Sequence, residues 1–264
     1  MLIDTHTHIS ESEFDQDREA VLERAHRAGV QKMVLVGINL QSSQRCVSLV
    51  RENPSLWATV GLHPHESHLL DEKMLKEFEN LAGRERVVGI GETGLDYHYS
   101  HSTREQQRHA FLAHIDLARR KRLPLVIHSR EAWPDMIEII RQENLGEHAR
   151  SVGVIFHCFT GGAALAHQLT ALGFSLSFSG IVTFPKAIDL HATVAAIDSN
   201  FMLIETDCPY LTPQGFRGKR NEPSYLSHVA QKIAELRRCP VTEIADITSK
   251  NAERLFRLSD PPLA

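Results

Sequence analysis

Short apolar runs alternate along this chain with longer stretches in which apolar residues recur at helical spacing. The first run lies in residues 1–10, M-L-I-D-T-H-T-H-I-S, and reads as a strand. Residues 15–28 follow, with Ala20, Val21, Ala25 and Ala28 on one helical face, and Gly29 stops them. Residues 32–37, 56–62, 87–92, 125–128, 152–157, 174–178 and 201–207 are the further strand-like runs. Between them the spacing predicts helices over 42–51, 72–82, a long segment ending at 122, 133–142, 163–172 and 187–197. Segments 223–236 and 241–256 supply closing helices. Ser102-x-x-Glu105 and Thr103-x-x-Gln106 both fit a capping box for the long helix. The tail 259–264 is expected to fray.

Eight strand-like runs alternating with helices, with no obvious linker, predict an α/β chain folded as one (β/α)8 TIM barrel over residues 1–258. An open doubly wound sheet would carry a glycine-rich phosphate turn after its first strand. Here that position reads H-T-H-I-S-E-S.

Composition narrows the function. No apolar run is long enough to span a bilayer, and the start lacks a charged-then-apolar leader, so a cytoplasmic protein is expected. Cys46, Cys158, Cys208 and Cys239 are scattered, which argues for a reducing compartment. A net charge of −4 exerts no global pull on nucleic acid, so any polyanion must be held locally. Sixteen histidines are many for this length, and their positions matter.

In a barrel, chemistry sits at the C-terminal ends of the strands. The predicted strands end in His6 and His8, in His63 and His65, in Glu92, in His128, in His157, and in Glu205 and Asp207. Alternate residues of a strand share a face, so His6 and His8 can close around one cation while Thr5 and Thr7 face away. His26, His109, His114, His148, His167, His191 and His228 fall on helix faces and read as solvated or partly packed. Strand eight neighbours strand one, which sets Asp207 beside His6 and His8. Strands four to six bring Glu92, His128 and His157 together. The barrel is only wide enough for side chains, so Glu92 can reach both clusters and bridge two divalent ions about 3.5–4 Å apart.

The chain resembles the TatD family of metal-dependent hydrolases, within the amidohydrolase-like barrel group. The resemblance rests on D-T-H-T-H (4–8), G-L-H-P-H (61–65), G-E-T-G-L-D-Y (91–97), I-H-S-R (127–130), H-C-F-T-G (157–161), S-F-S-G (177–180), E-T-D-C-P-Y-L (205–211) and R-G-K-R-N-E-P (217–223), in order over nearly the whole chain. The family's metal positions fall on His6, His8, Glu92, His128, His157 and Asp207. Its usual assignment implies a divalent-metal-dependent deoxyribonuclease, working from the 3′ end.

These parts suggest a mechanism. Two cations lower the pKa of a water and hold phosphate oxygens, Asp207 accepts the water's proton, and His63 protonates the leaving oxygen. Glu205 orients a ligand or the water. Arg130 and Arg220, the latter in the 217–221 loop, are candidate phosphate contacts; His65, Tyr97 and Phe216 are candidate rim contacts, the aromatics against a base. The basic run 119–122 precedes strand five and belongs to the opposite face. Cys158 and Cys208 each follow a candidate ligand and are expected in the core. A narrow mouth admits a single-stranded or frayed DNA end rather than a duplex. No membrane or obligate protein partner is implied. Magnesium or manganese suits phosphate chemistry, and zinc suits the imidazoles. The competing reading is an amidohydrolase-type C–N or C–O hydrolase, for instance on an aminoacyl ester, because paired metals do not fix the substrate.

Overall fold

The computed structural model describes residues 1–258; the tail expected to fray lies outside them. Eight parallel strands stand in the order of the chain: β1 Leu2–Thr7, β2 Val30–Val36, β3 Leu56–Val60, β4 Val87–Asp96, β5 Leu125–Arg130, β6 Val154–Phe156, β7 Ser175–Phe178 and β8 Met202–Ile204. Each neighbouring pair is parallel, and helices cover the outside. These are α1 Arg18–Arg27, α2 Leu40–Glu52, α3 Glu72–Leu81, α4 Arg104–Lys121, α5 Trp133–Gln142, α6 Leu145–Ser151, α7 Ala163–Ala171, α8 Ile188–Ala196, α9 Leu226–Arg237 and α10 Val241–Phe256.

The ring closes between β1 and the residues just past β8. The Asp207 amide donates to His6 O and the His8 amide to Cys208 O, both at 2.9 Å. Asp4 clasps the same seam: its buried carboxylate accepts from the amide and hydroxyl of Thr206. Burial outweighs those hydrogen bonds and raises the Asp4 carboxyl to about 7. At the other end, Phe256 and Leu258 pack with Ile3, Val34, Trp57, Val126, Ile155 and Leu203, so apolar contact seals the N-terminal end of the ring. Chemistry is left to the C-terminal ends.

Two irregularities re-aim the strands at that end. Between Asp4 and Thr7, β1 advances three residues while β2 advances two, from Met33 to Leu35. Between Ile90 and Thr93, β4 advances three while β5 advances two, from Leu125 to Ile127. Bulges of this kind turn a side chain out of strict alternation. The first carries His6 and the second Glu92. Thr5 accordingly reaches the Ser177 hydroxyl at 3.1 Å and Ile204 O at 2.9 Å, a direction that simple alternation does not predict. Strand β4 runs on to Asp96, past the predicted end at Glu92, because glycines let it press on β5. Gly94 has φ +141°, and a Cβ there would stand 2.1 Å from His128 O.

Other differences are local. A short helix, α6, fills the predicted gap between 142 and 152. The long helix starts from Thr103, whose capping box with Gln106 is formed. His114 is fully buried rather than solvated, its Nδ1 donating to Ala110 O at 2.8 Å, and His148 is buried too. In the basic run 119–122, Arg119 pairs with Glu143, and Arg120 and Lys121 lie 3.7 Å from Glu79.

Candidate metal centre

Glu92 is buried at the centre of the mouth, and its two oxygens face different groups of histidines. Oε2 lies 3.3 Å from His6 Nε2 and 4.0 Å from His8 Nε2. Oε1 lies 2.8 Å from His128 Nδ1, 2.8 Å from His157 Nε2 and 3.5 Å from His63 Nε2. On the first side Asp207 Oδ1 completes the ring, 3.2 Å from His8 Nε2 and 3.7 Å from His6 Nε2. Donors around one ion with bonds of about 2.1 Å stand roughly 3.4 Å apart in a tetrahedron, and His6, His8 and Glu92 lie together within such reach, with Asp207 beside both histidines.

The hydrogen-bond partners of the rings suit cations between them. His8 Nδ1 faces Val36 O at 3.2 Å and His128 Nε2 faces Asp96 Oδ2 at 3.1 Å, so in the neutral rings those nitrogens carry the hydrogen. The opposite nitrogens then present lone pairs. His6 Nε2 and His8 Nε2 meet at 3.2 Å, and His128 Nδ1 and His157 Nε2 at 3.1 Å. Lone pairs so close to each other and to carboxylate oxygens repel unless a cation or a proton lies between them. Burial works against charge on His8, His128 and His157, but the carboxylates outweigh it: Asp207 for His8, Asp96 and Glu92 for His128, Glu92 and Glu205 for His157. All three titrate above the usual histidine range. Burial likewise opposes Glu92, yet the charge of His157 and the hydrogen bonds from His128 and His157 hold its carboxyl well below the usual range. Metals would take the place of those protons.

A second layer of polar groups backs the candidate ligands. Glu205 is fully buried, 3.4 Å from His157 Nδ1, and accepts from the Cys158 amide at 2.7 Å. His6 Nδ1, His157 Nδ1 and Glu205 Oε2 are buried atoms with no hydrogen-bond partner, and these three residues converge in one cluster. His63 Nδ1 accepts from the His65 amide at 3.2 Å, which leaves its hydrogen on Nε2, toward Glu92. Burial depresses His63 to about 3, so at neutral pH it is an N–H donor and not an imidazolium.

Asp96 was not among the predicted site residues. Buried below the rim, its Oδ2 meets His128 Nε2 and His65 Nε2, and its Oδ1 accepts from the amides of His98 and Tyr99. The pattern G-L-D at the end of β4 was the available signal. Tyr99, 44% exposed, and Tyr210, 55% exposed and edge-on to His8, are the open rim aromatics. Tyr97 is instead held: its hydroxyl donates to Asp135 at 2.6 Å and Arg104 covers its ring. Arg130 is at the rim over Tyr99. Arg220 turns away, to Asp17 at 2.7 Å and to Glu13 O. Phe216 stacks on Tyr225 and His228. Cys208 is buried, but Cys158 has φ +44°, leaves the alternation and reaches the Ser179 hydroxyl at 3.2 Å in the mouth.

The chain is similar throughout to proteins of one group. A family profile described as "TatD related DNase" matches residues 3–257. An "Uncharacterized metal-dependent hydrolase YabD" of Bacillus subtilis is 43% identical over 259 residues, 98% of this chain and 100% of that protein. A protein of Pectobacterium parmentieri named "3'-5' ssDNA/RNA exonuclease TatD" is 35% identical over 264 residues, 98% of this chain and 100% of its own length. Among solved structures, YJJV, a TatD homolog from Escherichia coli K12, superposes with a TM-score of 0.89 at 30% identity, covering 97% of this chain and 98% of that one.

Proposed function

The chain belongs to the TatD-related DNase family, a metal-dependent hydrolase acting on ester bonds, and from that premise we propose that it is a two-metal 3′–5′ exonuclease on single-stranded DNA ends. The observation that carries this reading is the division of Glu92, one oxygen toward His6 and His8 and the other toward His128 and His157.

A pair of divalent ions at these clusters supplies, when bound, Lewis acidity toward a phosphoryl oxygen and a water of lowered pKa. His6, His8, Asp207 and Glu92 would hold one ion, and His128 and His157 with Glu92 would hold the other. With only Glu92 and Asp207 as anionic ligands, the loaded site keeps net positive charge, which favours an anionic phosphodiester. Asp207 faces the mouth and accepts the proton of the attacking water. His63 donates a hydrogen bond from Nε2 to a phosphoryl or leaving oxygen, a role its neutral state allows. Glu205 orients His157. Magnesium or manganese suits the phosphate chemistry, and the imidazoles also admit zinc. The name of the Pectobacterium relative supports the 3′–5′ polarity and the single-stranded substrate.

The test uses protein stripped by chelator and reloaded with magnesium, manganese or zinc. With 5′-labelled single-stranded oligonucleotides, products should shorten one nucleotide at a time from the 3′ end. Equal cutting of circular single-stranded DNA, which has no end to thread, would reject the reading.

A further inference from the structure

Arg130, Arg217 and Lys219 sit in loops or strand ends on the C-terminal face, and each rests on an aromatic ring. The Arg130 guanidinium lies 5.1 Å from the centre of the Tyr99 ring, Arg217 lies 5.0 Å from Phe184, and the Lys219 ammonium lies 5.8 Å from Phe216. All three cations are exposed, and among the described residues none pairs with a carboxylate. Their neighbour Arg220 shows the contrast, spent on Asp17. A cation on a ring face keeps its outward N–H donors free. A phosphate can bind it without first breaking an ion pair.

The two groups stand on opposite arcs of the ring. Tyr99 follows β4 and Arg130 ends β5, whereas Phe184 follows β7 and Phe216–Lys219 follow β8. The loops after β7 and β8 are tied together, the Gln214 amide donating to the Thr183 hydroxyl at 2.7 Å. The metal centre lies between the two arcs. On the Tyr99 side, rings lead inward without a break: Tyr99 to His65 at 5.3 Å, His65 to His63 at 4.3 Å and His63 to His128 at 4.7 Å.

We propose that these pairs form one polynucleotide path across the mouth. The departing terminal nucleotide docks at Tyr99 and Arg130, the scissile phosphate lies at the ligand cluster, and the upstream phosphates leave over Arg217 and Lys219. This rests on the nuclease reading above and adds a length requirement to it: a dinucleotide has one internal phosphate and cannot occupy both arcs.

The experiment compares the metal-loaded wild type with the double variant Arg217→Ala/Lys219→Ala on two probes, a dodecathymidylate and a thymidine dinucleotide. Circular dichroism confirms that the variant is folded. The double variant should raise KM for the dodecamer about tenfold and leave turnover of the dinucleotide unchanged. It should also flatten the salt dependence of dodecamer binding by roughly one unit of slope, in line with ~0.7 per phosphate on single strands. In time courses the wild type should slow once the remaining strand no longer reaches Arg217, and the variant should show no such break. If both probes are unaffected, or both are weakened equally, the path is wrong while the nuclease reading stands. If the wild type cleaves neither probe with any metal, the nuclease reading falls and the path with it.

Discussion

Asp96 Oδ2 lies 3.1 Å from His128 Nε2, and the same oxygen lies 3.0 Å from His65 Nε2. One buried carboxylate thus fixes the ring of a candidate metal ligand and of a rim histidine. Burial resists its ionisation, but hydrogen bonds and charge from His128 and His65 prevail and hold its carboxyl far below the usual range. Outer carboxylates of this type raise ligand basicity and set the tautomer, and removing one costs about 10–100-fold in metal affinity. Asp96→Asn should therefore weaken one of two metal-binding steps by that factor while the fold persists. Competition titrations with a chromophoric chelator measure it; an unchanged second step would remove Asp96 from the site.

The ends of the apolar runs were readable because a barrel strand buries both faces until it reaches the mouth. Polar residues that terminate such runs, His128 after Leu125–Ile127 for instance, stand out. The bulges at His6 and Glu92 were not readable, since a register slip is a relation between two strands and not a property of one. Asp96 was passed over because the apolar run of β4 stops near Glu92, although the strand continues on glycines. Tyr97 and Tyr99 stand two residues apart; Asp135, in α5, and Arg104, at the start of α4, decide which ring is held. Arg220 pairs with an Asp17 some two hundred positions away, which no local pattern announces.

Glu92→Gln keeps the size of the side chain and removes the charge that both clusters share. It should strip both ions, whereas His128→Ala, at the edge of one cluster, should leave about one per chain. Elemental analysis after gel filtration separates the two cases. Full occupancy in Glu92→Gln would show that the clusters bind independently of it.

His114 offers a pH test away from the mouth. Its ring is fully buried, packs on Phe78, and leaves Nε2 without a partner. Burial depresses it to about 4. The unfolded chain takes up this proton below about 6.5, and the folded protein only below about 4, so the group removes stability as pH falls through that window. At roughly 1.4 kcal/mol per pH unit, the loss approaches 3 kcal/mol. Urea unfolding at pH 7 and pH 4 should show His114→Leu losing less stability than the wild type by about that amount. Identical pH dependence would mean the ring charges inside the fold.

Gly94 lets β4 lie against β5 at the level of His128. A methyl group there meets His128 O, and the residue sits in backbone conformations that side chains rarely adopt. Gly94→Ala should cost more than about 2 kcal/mol, the range of strain at such positions, and should lower metal affinity because His128 moves with its carbonyl. Thermal melts of the metal-free protein read the first effect. A melting temperature within a degree or so of wild type would contradict it.

Asp207 is the proposed proton acceptor, and its backbone allows a clean substitution. It has φ +55°, in the left-handed region where asparagine and aspartate are tolerated and most residues are strained. Its Oδ1 stands 3.2 Å from His8 Nε2, and its carboxyl is ionised because the hydrogen bond from His8 and the charges of His6 and His8 overcome burial. Asp207→Asn keeps the shape and the turn but removes the base and one anionic ligand. Turnover at saturating metal should fall by at least ~10², the lower range for losing a general base. Dodecamer binding should survive, because the proposed phosphate contacts lie elsewhere. Asp207→Ala should lose the same activity and also stability, since alanine does not share the tolerance for that turn. Near-normal turnover in metal-saturated Asp207→Asn would take the proton-accepting role away from Asp207.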